Sequence, residues 1–478
     1  MKKIFFYIKY SRSIFNNLIM VFKKKKLIKK TNNFMNIFGL LMVVILVGLG
    51  FYVVKSVDLK LGGITNSSGQ TTEGQKEIKK EVNILMVGRG GGNHDAPELT
   101  DTIILAKVNR INKTVSLLSL QRDLYVNYPD KDGTGKLNSV YAHYFYKENK
   151  NEKAGMAKLA EKIKDITGED VDYYVNVDFS GFKQIIDTLG GVEIDVKESF
   201  TDTTYPNENW GYQTISFKKG LQLMNGDQAL KFSRSRHSTS DFDRSLRQQQ
   251  VIQAVKNKLT SNLLQETSPA KIVELYNVFT KYLSTDIGVT DAISLALDLG
   301  VLKENYRFIS SNFNDTCYSE TSVCEKGGIL YVPKRDLFGG QWVSLVNGST
   351  TSTLSNYELS KKYSNIVLHY PMVEAEDYKI NIFNGSKVSG AGAMVNNMKR
   401  YGFKFTDKKF VSNAPETIEK SVIYYNGIDE NTDTIKALKE FFKGEFIKIS
   451  EPKYSTEKAI IEIVLGKDYA EDKNIFNF

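Results

Sequence analysis

The sequence predicts an α/β protein: a mixed sheet flanked by helices, set behind one membrane-spanning helix and followed by a small second α/β domain. Three observations lead there. Residues 34–54 form a run of 21 residues without a charge, enough to cross a bilayer as a helix. Between 82 and 196, short apolar runs alternate with amphipathic helical stretches, the pattern of a sheet covered by helices. From Tyr378 a fresh strand-and-helix succession begins.

Length and charge bound the rest. With 478 residues, 41% of them hydrophobic, the chain can bury two or three ordinary cores. Residues 1–30 hold ten Lys and Arg and no acid; because the whole chain carries +9, the remainder has a net charge of −1. The basic excess is one short segment and not a surface, which excludes a general nucleic-acid interface despite a pI of about 9.0. Those lysines outnumber Lys55 and Lys60 beyond the apolar run. The positive-inside rule therefore makes 1–33 a basic cytoplasmic segment, 34–54 a single-pass helix in the cytoplasmic membrane, and the rest extracytoplasmic. The run lacks a small-x-small cleavage pattern, so it reads as an uncleaved anchor and not a signal peptide. Residues 55–80, rich in Gly, Ser, Thr and Gln, read as a flexible stalk.

A first folded domain is expected over 81–345. Strands at 82–87 and 102–108 enclose a glycine-rich loop with Gly88, Gly90, Gly91 and Gly92, which is not a Walker loop because no helix follows it directly. Asp95 and Asp101 flank the end of that loop. Paired carboxylates beside a phosphate are how Mg²⁺ is held, so both are candidate metal ligands. A strand at 115–120, a helix at 152–166, a strand at 171–177, a helix at 179–189 and a strand at 192–196 continue the αβ succession.

Residues 231–250 are the richest stretch, with Arg234, Arg236, Arg244 and Arg247 beside Asp241 and Asp243. Read as extended, 232–236 puts Phe232, Arg234 and Arg236 on one face. Asp241 or Asp243 then caps a helix to about Leu259, whose inner side carries Arg244, Arg247 and Gln248 along with Val251 and Val255. Inward arginines near a helix N-terminus call for an anion, and the guanidinium fork fits phosphate oxygens. The competing reading is a purely structural network; four arginines against two carboxylates favour the anion site. Helices are expected over 272–302. Cys317 and Cys324 are the only cysteines, and outside the cell a pair closing a short loop points to a disulfide. Residues 346–377 lose periodicity and gain Ser, Thr and Asn, the composition of a linker, and 378–468 form the second domain.

In chain order, Gly226, Ala229, Leu230, Phe232, Arg234 and Arg236, then Asp241, Phe242, Arg244, Arg247 and Gln248, resemble the second half of the LytR-CpsA-Psr domain, G-x-x-A-L-x-Y-x-R-x-R followed by D-F-x-R-x-x-R-Q. Asp101 stands at the aspartate of that family's R-S-D-T, Arg122 and Asp123 at its S-x-P-R-D, and Lys136 and Asn138 at its K-I-N-x-A-Y. Departures are Leu99 for the arginine of R-S-D-T, Gln121 for the proline, and Arg89 or Gly90 where the first aspartate is expected, with Asp95 the nearest substitute. Residues 378–468 resemble the LytR C-terminal domain.

The resemblance implies the LytR-CpsA-Psr type of mixed sheet and a membrane-anchored, Mg²⁺-dependent phosphotransferase. Such an enzyme would move a glycopolymer from a polyprenyl-pyrophosphate carrier to a peptidoglycan acceptor with formation of a phosphodiester. Asp101, Arg122, Arg234 and Arg236 would then be catalytic, and Asp101 and Asp95 would hold the metal. Arg244, Arg247, Gln248, Lys136, Asn138 and Asp123 would bind substrate. Two other classes fit the same residues: a hydrolase of the lipid pyrophosphate, and a non-catalytic anchored module that binds anionic polymer. The topology is directly testable. A reporter enzyme fused after Lys80 is expected to be active only outside the cytoplasmic membrane, and activity of that fusion in the cytoplasm would contradict the assignment.

Overall fold

The computed structural model describes residues 79–92, 96–207, 211–235, 281–288, 306–313, 328–386, 391–406, 411–455 and 461–472, with single positions within 247–258 and at 291, 317, 318 and 476. The expected membrane span at 34–54 lies outside these; among the described residues no helix is long and apolar enough to cross a membrane. Strands β1 (Glu81–Arg89), β2 (Thr100–Asn109) and β3 (Thr114–Ser119) run antiparallel, with Leu85 opposite Leu105 and Leu105 opposite Leu118. Their period of two sends Leu85, Val87, Ile103, Leu105 and Leu118 into one core. Val82, Ile84, Ile104, Ala106, Val108 and Val115 enter a second core on the opposite face.

A hairpin of β4 (Tyr125–Asn127) and β5 (Thr134–Lys136) leads into helices α1 (Leu137–Lys147) and α2 (Glu152–Thr167). The Asn151 side chain accepts from the Ala154 N–H at the start of α2, and Gly168, at φ 81°, ends it in the left-handed conformation. Met156, Leu159, Ile163 and Ile166 recur at helical spacing and pack on the first face of the sheet. Then come β6 (Tyr173–Asp178), α3 (Phe179–Thr188), β7 (Val192–Val196), the antiparallel pair β8 (Phe200–Pro206) and β9 (Tyr212–Phe217), β10 (Gly220–Met224) and α4 (Gly226–Arg234). β11 (Leu283–Thr285) and β12 (Arg307–Asn312) complete a six-stranded sheet in the order β11-β6-β1-β2-β3-β12. It is mixed, with β6 parallel to β1 and β12 parallel to β3.

Three expectations are corrected. Residues 232–236 are not a strand: Phe232 and Arg234 belong to α4, nucleated by a reciprocal capping box between Asn225 and Gln228. The argument that a period of two aligns Arg234 with Arg236 therefore fails, and Arg236 lies outside the described residues. Within 272–302, expected to be helical, 283–285 is the edge strand β11, and most of the rest lies outside the described residues. Residues 346–377 are not a linker. Beyond the small sheet of β13 (Cys317–Tyr318), β14 (Leu330–Val332) and β15 (Leu345–Val346), they form α5 (Glu358–His369) and α6 (Val373–Glu376). Cys317 opens β13, whereas Cys324 lies outside the described residues.

The second domain pairs β16 (Lys379–Asn384) with β17 (Lys404–Phe405), β18 (Val411–Asn413) and β21 (Ile461–Leu465), while β19 (Val422–Tyr425) joins β21 to β20 (Glu445–Lys448). Helices α7 (Ala391–Arg400), α8 (Asp433–Phe441) and α9 (Lys467–Glu471) accompany it. Ile366, Leu368 and Val373 of α5 and α6 share one core with Leu159 and Ile163 on one side and Ile435 and Leu438 on the other. A polar network supports this junction. Lys107 Nζ reaches Glu169 at 2.8 Å and Glu81 at 3.0 Å, and His369 Nε2 lies 2.8 Å from Glu169.

Burial raises the Glu169 carboxyl's pKa, but hydrogen bonding with His369 and the charge of Lys107 outweigh it and bring it from 4.5 down to about 2. An acid held below its unfolded value contributes fully above pH 4.5 and loses that contribution as the pH falls from there toward 2. Glu169→Gln is therefore expected to lower the melting temperature most near neutral pH, with the gap to the parent closing in acid. A gap that stays constant throughout the acid titration would contradict this.

Candidate functional site

The register of the sheet gathers charged residues at one end. Arg89, the last residue of β1, pairs with Thr100 at the start of β2 and with Asp178 at the end of β6, and Ser119 at the end of β3 pairs with Ile104. Asp101, Arg122 and Asp178 consequently meet along one cavity of about 470 Å³ between the sheet and the β8–β9 pair. Much of its wall is apolar, from Met86, Ile104, Val175, Val177, Phe182, Leu230 and Val251; Asp101, Arg122, Asp178, Asp202, Arg234 and Gln248 supply polar lining. Gly91, at φ 63°, packs so close to Asp178 that a Cβ would lie 2.5 Å from that side chain. Its N–H is bonded to the Pro97 carbonyl at 2.8 Å, so Gly91 serves close packing.

The charges form a chain. Arg122 donates to the Asp101 carboxylate and, through Nε, to Asp123 at 3.4 Å, while Lys136 Nζ donates to the other Asp123 oxygen at 2.7 Å. The Asn138 N–H donates to the Arg122 carbonyl (3.1 Å), and its own carbonyl accepts from Thr100 Oγ1 (3.2 Å), which ties the start of α1 to β2. The Asn138 side chain is buried, and its Oδ1 has no hydrogen-bond partner among the described residues.

Arg234, in the last turn of α4, is sandwiched. Its guanidinium carbon lies 4.1 Å from the Phe179 ring centre and 5.6 Å from that of Tyr205, and one terminal nitrogen donates to the Tyr205 hydroxyl at 3.3 Å. Stacking fixes the plane of the fork, which is what bidentate recognition of phosphate needs. Burial raises the Tyr205 phenol pKa, with Arg234 pulling the other way, so this partner stays neutral at physiological pH.

Arg247 points inward as the helical wheel required, but it does not line the cavity. It is buried, donates through Nε to the Phe232 carbonyl at 3.1 Å and through a terminal nitrogen to the Ser235 carbonyl, and lies 5.0 Å from the Phe200 ring centre. It caps the carbonyl end of α4. Gln248, next to it, does reach the cavity. Arg89 pairs with Glu98 at 3.0 Å and is not among the lining residues. Asp95, Arg236 and Arg244 lie outside the described residues.

Sequence reasoning missed Asp178, Phe179, Asp202 and Tyr205. The first two sit where the strand expected at 171–177 meets the helix expected at 179–189, and an aspartate followed by Phe at a strand end was an available N-cap signal. Asp202 is buried, accepting from Ser235 Oγ (2.7 Å) and the Thr204 N–H (3.0 Å), and no pattern in the sequence announced it.

The fold and site define a class by their architecture: a mixed α/β sheet with a half-apolar cavity at one end, lined by Arg122 and Arg234 together with Asp101, Asp178 and Asp202. Comparison gives the family: the LytR_cpsA_psr family model matches residues 53–328, and that described as LytR cell envelope-related transcriptional attenuator matches 377–469. The chain belongs to the LytR-CpsA-Psr family. It is 29% identical over 280 residues, 57% of this chain and 67% of the relative, to the polyisoprenyl-teichoic acid–peptidoglycan teichoic acid transferase TagV of Bacillus subtilis. To the like-named transferase TagU of Enterococcus faecalis it is 27% identical over 271 residues, 55% of this chain and 81% of the relative. The crystal structure of Bacillus subtilis TagV aligns with 61% of this chain and 98% of its own, at 23% identity and a TM-score of 0.43.

The different placements of two arginines in one motif are testable by urea unfolding. Arg247→Ala leaves two buried carbonyls without their donor and is expected to cost about 2–4 kcal/mol. Arg234→Ala, which removes the ring contacts and one hydrogen bond to the Tyr205 hydroxyl but opens no buried carbonyl, is expected to cost clearly less than Arg247→Ala. The reverse ranking would contradict the assignment.

Proposed function

We propose that this protein transfers a glycopolymer from a polyprenyl-pyrophosphate carrier to peptidoglycan, acting outside the cytoplasmic membrane that residues 34–54 anchor it to. One observation carries the reading: a single cavity combines an apolar wall with Arg122 and Arg234 on its polar lining. That combination suits a ligand that is hydrocarbon at one end and diphosphate at the other. The names of the two relatives, each a transferase between polyisoprenyl-linked teichoic acid and peptidoglycan, support the same class of donor and acceptor.

In this mechanism an acceptor hydroxyl oxygen bonds to the phosphorus nearest the glycan. The bond from that phosphorus to the bridging oxygen breaks, polyprenyl phosphate leaves with the electron pair, and the proton of the hydroxyl passes to the leaving phosphate. Arg234, held flat between Phe179 and Tyr205, meets the non-bridging oxygens. Arg122 is aimed by Asp101 and Asp123, and Lys136 extends the positive side through Asp123. Such preorganised cations neutralise charge as it develops on the leaving phosphate. Among the described residues no three carboxylate, imidazole or thiolate groups are placed to hold a metal. Asp101, with the substrate's own phosphate oxygens, would hold Mg²⁺, a mode that this ion's preference for oxygen and few protein ligands allows; Asp95, the other expected ligand, lies outside the described residues. When bound, the ion supplies further charge neutralisation at the leaving oxygen.

The test follows release of polyprenyl phosphate from a synthetic lipid-linked sugar in the presence of peptidoglycan fragments. Arg234→Lys keeps the charge but loses the fork and the stack, so transfer is expected to fall by roughly two orders of magnitude with little change in melting temperature. Asp101→Asn is expected to raise the Mg²⁺ concentration needed for half-maximal rate. Near-normal turnover in both variants would overturn the reading, and release without attachment to the fragments would replace it with hydrolysis.

A further inference from the structure

Residues 329–346 fall beyond the stretch matched by the first family model and before the second. They carry β14, β15 and, between them, a 3-10 turn at Arg335–Phe338. Phe338, Val343 and Leu345 are buried there, yet Trp342 is 56% exposed and Leu337 62%. The indole is ordered by a cation and not by burial: the Arg335 guanidinium carbon lies 5.0 Å from its ring centre. Arg335 is held in turn by Nε donating to the Gly340 carbonyl at 3.0 Å, across a turn that places Gly339 and Gly340 at φ 60° and 79°.

This display is bonded through the backbone to Asp123, the chain neighbour of the cavity-lining Arg122. The Ser344 N–H donates to the Asp123 carbonyl at 3.0 Å, and the Ser344 carbonyl accepts from the Tyr125 N–H at 2.9 Å. Trp342 is thus two residues from a backbone ladder on Asp123, whose carboxylate takes both Arg122 and Lys136. Trp342 does not line the cavity itself. The lipid and diphosphate ends of the donor fill the cavity in the proposed function, so a binding face that adjoins its charged residues from outside suits the second substrate.

We propose that Trp342 and Arg335 form a platform for the acceptor glycan, on which a sugar ring stacks its C–H face against the indole. Arg335 over the ring, with Asp336 and Gln341 exposed in the same turn, offers the donors and acceptors that sugar hydroxyls satisfy. Those polar neighbours also suit a glycan better than a membrane, which calls for a continuous apolar face. The inference deepens the transferase reading and rests on it for the identity of the polymer.

The experiment uses the full chain in detergent, carrying Trp210→Phe so that Trp342 is the single tryptophan of the two in the sequence. Purified peptidoglycan sacculi stripped of secondary polymers serve as the probe in cosedimentation, and chitotetraose as the soluble probe in a fluorescence titration. Saturable binding to both and a change in indole emission are expected. Trp342→Ala should weaken binding about tenfold, while Trp342→Tyr, which keeps a stacking face, should stay within about threefold of the parent. Equal binding by Trp342→Ala and the parent overturns the platform. So does a Trp342→Tyr protein that melts like the parent but binds no better than the alanine variant. A concentration-dependent dimer dissolved by Trp342→Ala would assign the face to a second copy and also overturn it. No lipid and no turnover enter the measurement, so a failed transfer assay with intact Trp342-dependent binding counts against the transferase reading alone.

Discussion

The structure depends on one constraint: the central strands send apolar side chains to both faces, so both faces must be covered. In β2, eight of ten residues are buried, and β3 is buried throughout. A sheet of this kind cannot leave one side to water. The first face is covered by α1, α2 and α5, whose apolar stripes join the core that continues into the second domain. The second face is covered by shorter pieces, namely β7 to β10 with α3 and α4. The cavity lies in this second cover, against the charged end of the sheet.

The same two-faced burial explains the fate of 346–377. Its serines look like linker composition, yet Ser360 and Ser364 are fully buried in α5. Their hydroxyls donate to backbone carbonyls, Ser360 Oγ to Ile166 and Ser364 Oγ to Ser360, each at 2.7 Å, so little desolvation cost remains. Small satisfied residues let α5 approach α2 and β3 closely. Beyond it, Glu376 accepts from the N–H groups of Asp433 and Thr434 at 2.9 and 2.8 Å, and Asp433 accepts from the Met372 N–H at 2.9 Å. The segment between the two family-matched regions is therefore a splint that shares one core with both, and the catalytic and C-terminal parts are packed together instead of tethered.

Much of the fold was legible because it follows period and punctuation. Strand 192–196 has the expected limits, and α2 and α3 lie within a residue of theirs, since alternation and 3.6-residue spacing are local signals. Arg122, Asp101, Lys136 and Asp123 do assemble as one chain of ion pairs, which only their order along a family motif had suggested. What was not legible is tertiary or competitive. The extended reading of 232–236 lost to the capping box at Asn225 and Gln228, a signal that lies upstream of the segment itself. Phe179 and Tyr205 could not be foreseen as neighbours of Arg234, because nothing in either segment encodes the other.

The arginine motif mixes building with binding, and the geometry of β8 shows how the two connect. Asp202 and Tyr205 are three residues apart, so in a regular strand they would point to opposite faces. The register of β8 against β9 shifts between them, and such an irregularity re-aims side chains. Both now touch the end of α4: Asp202 takes the Ser235 hydroxyl, and Tyr205 takes Arg234. Arg247 closes the same turn from the other side through the carbonyls of Phe232 and Ser235. The backbone on either side of Arg234 is thereby fixed by two groups, and its guanidinium plane by two rings. Arg247 and Asp202 serve the site through Arg234, as positioning residues whose charges are used in the scaffold, while Arg234 presents its fork to the cavity.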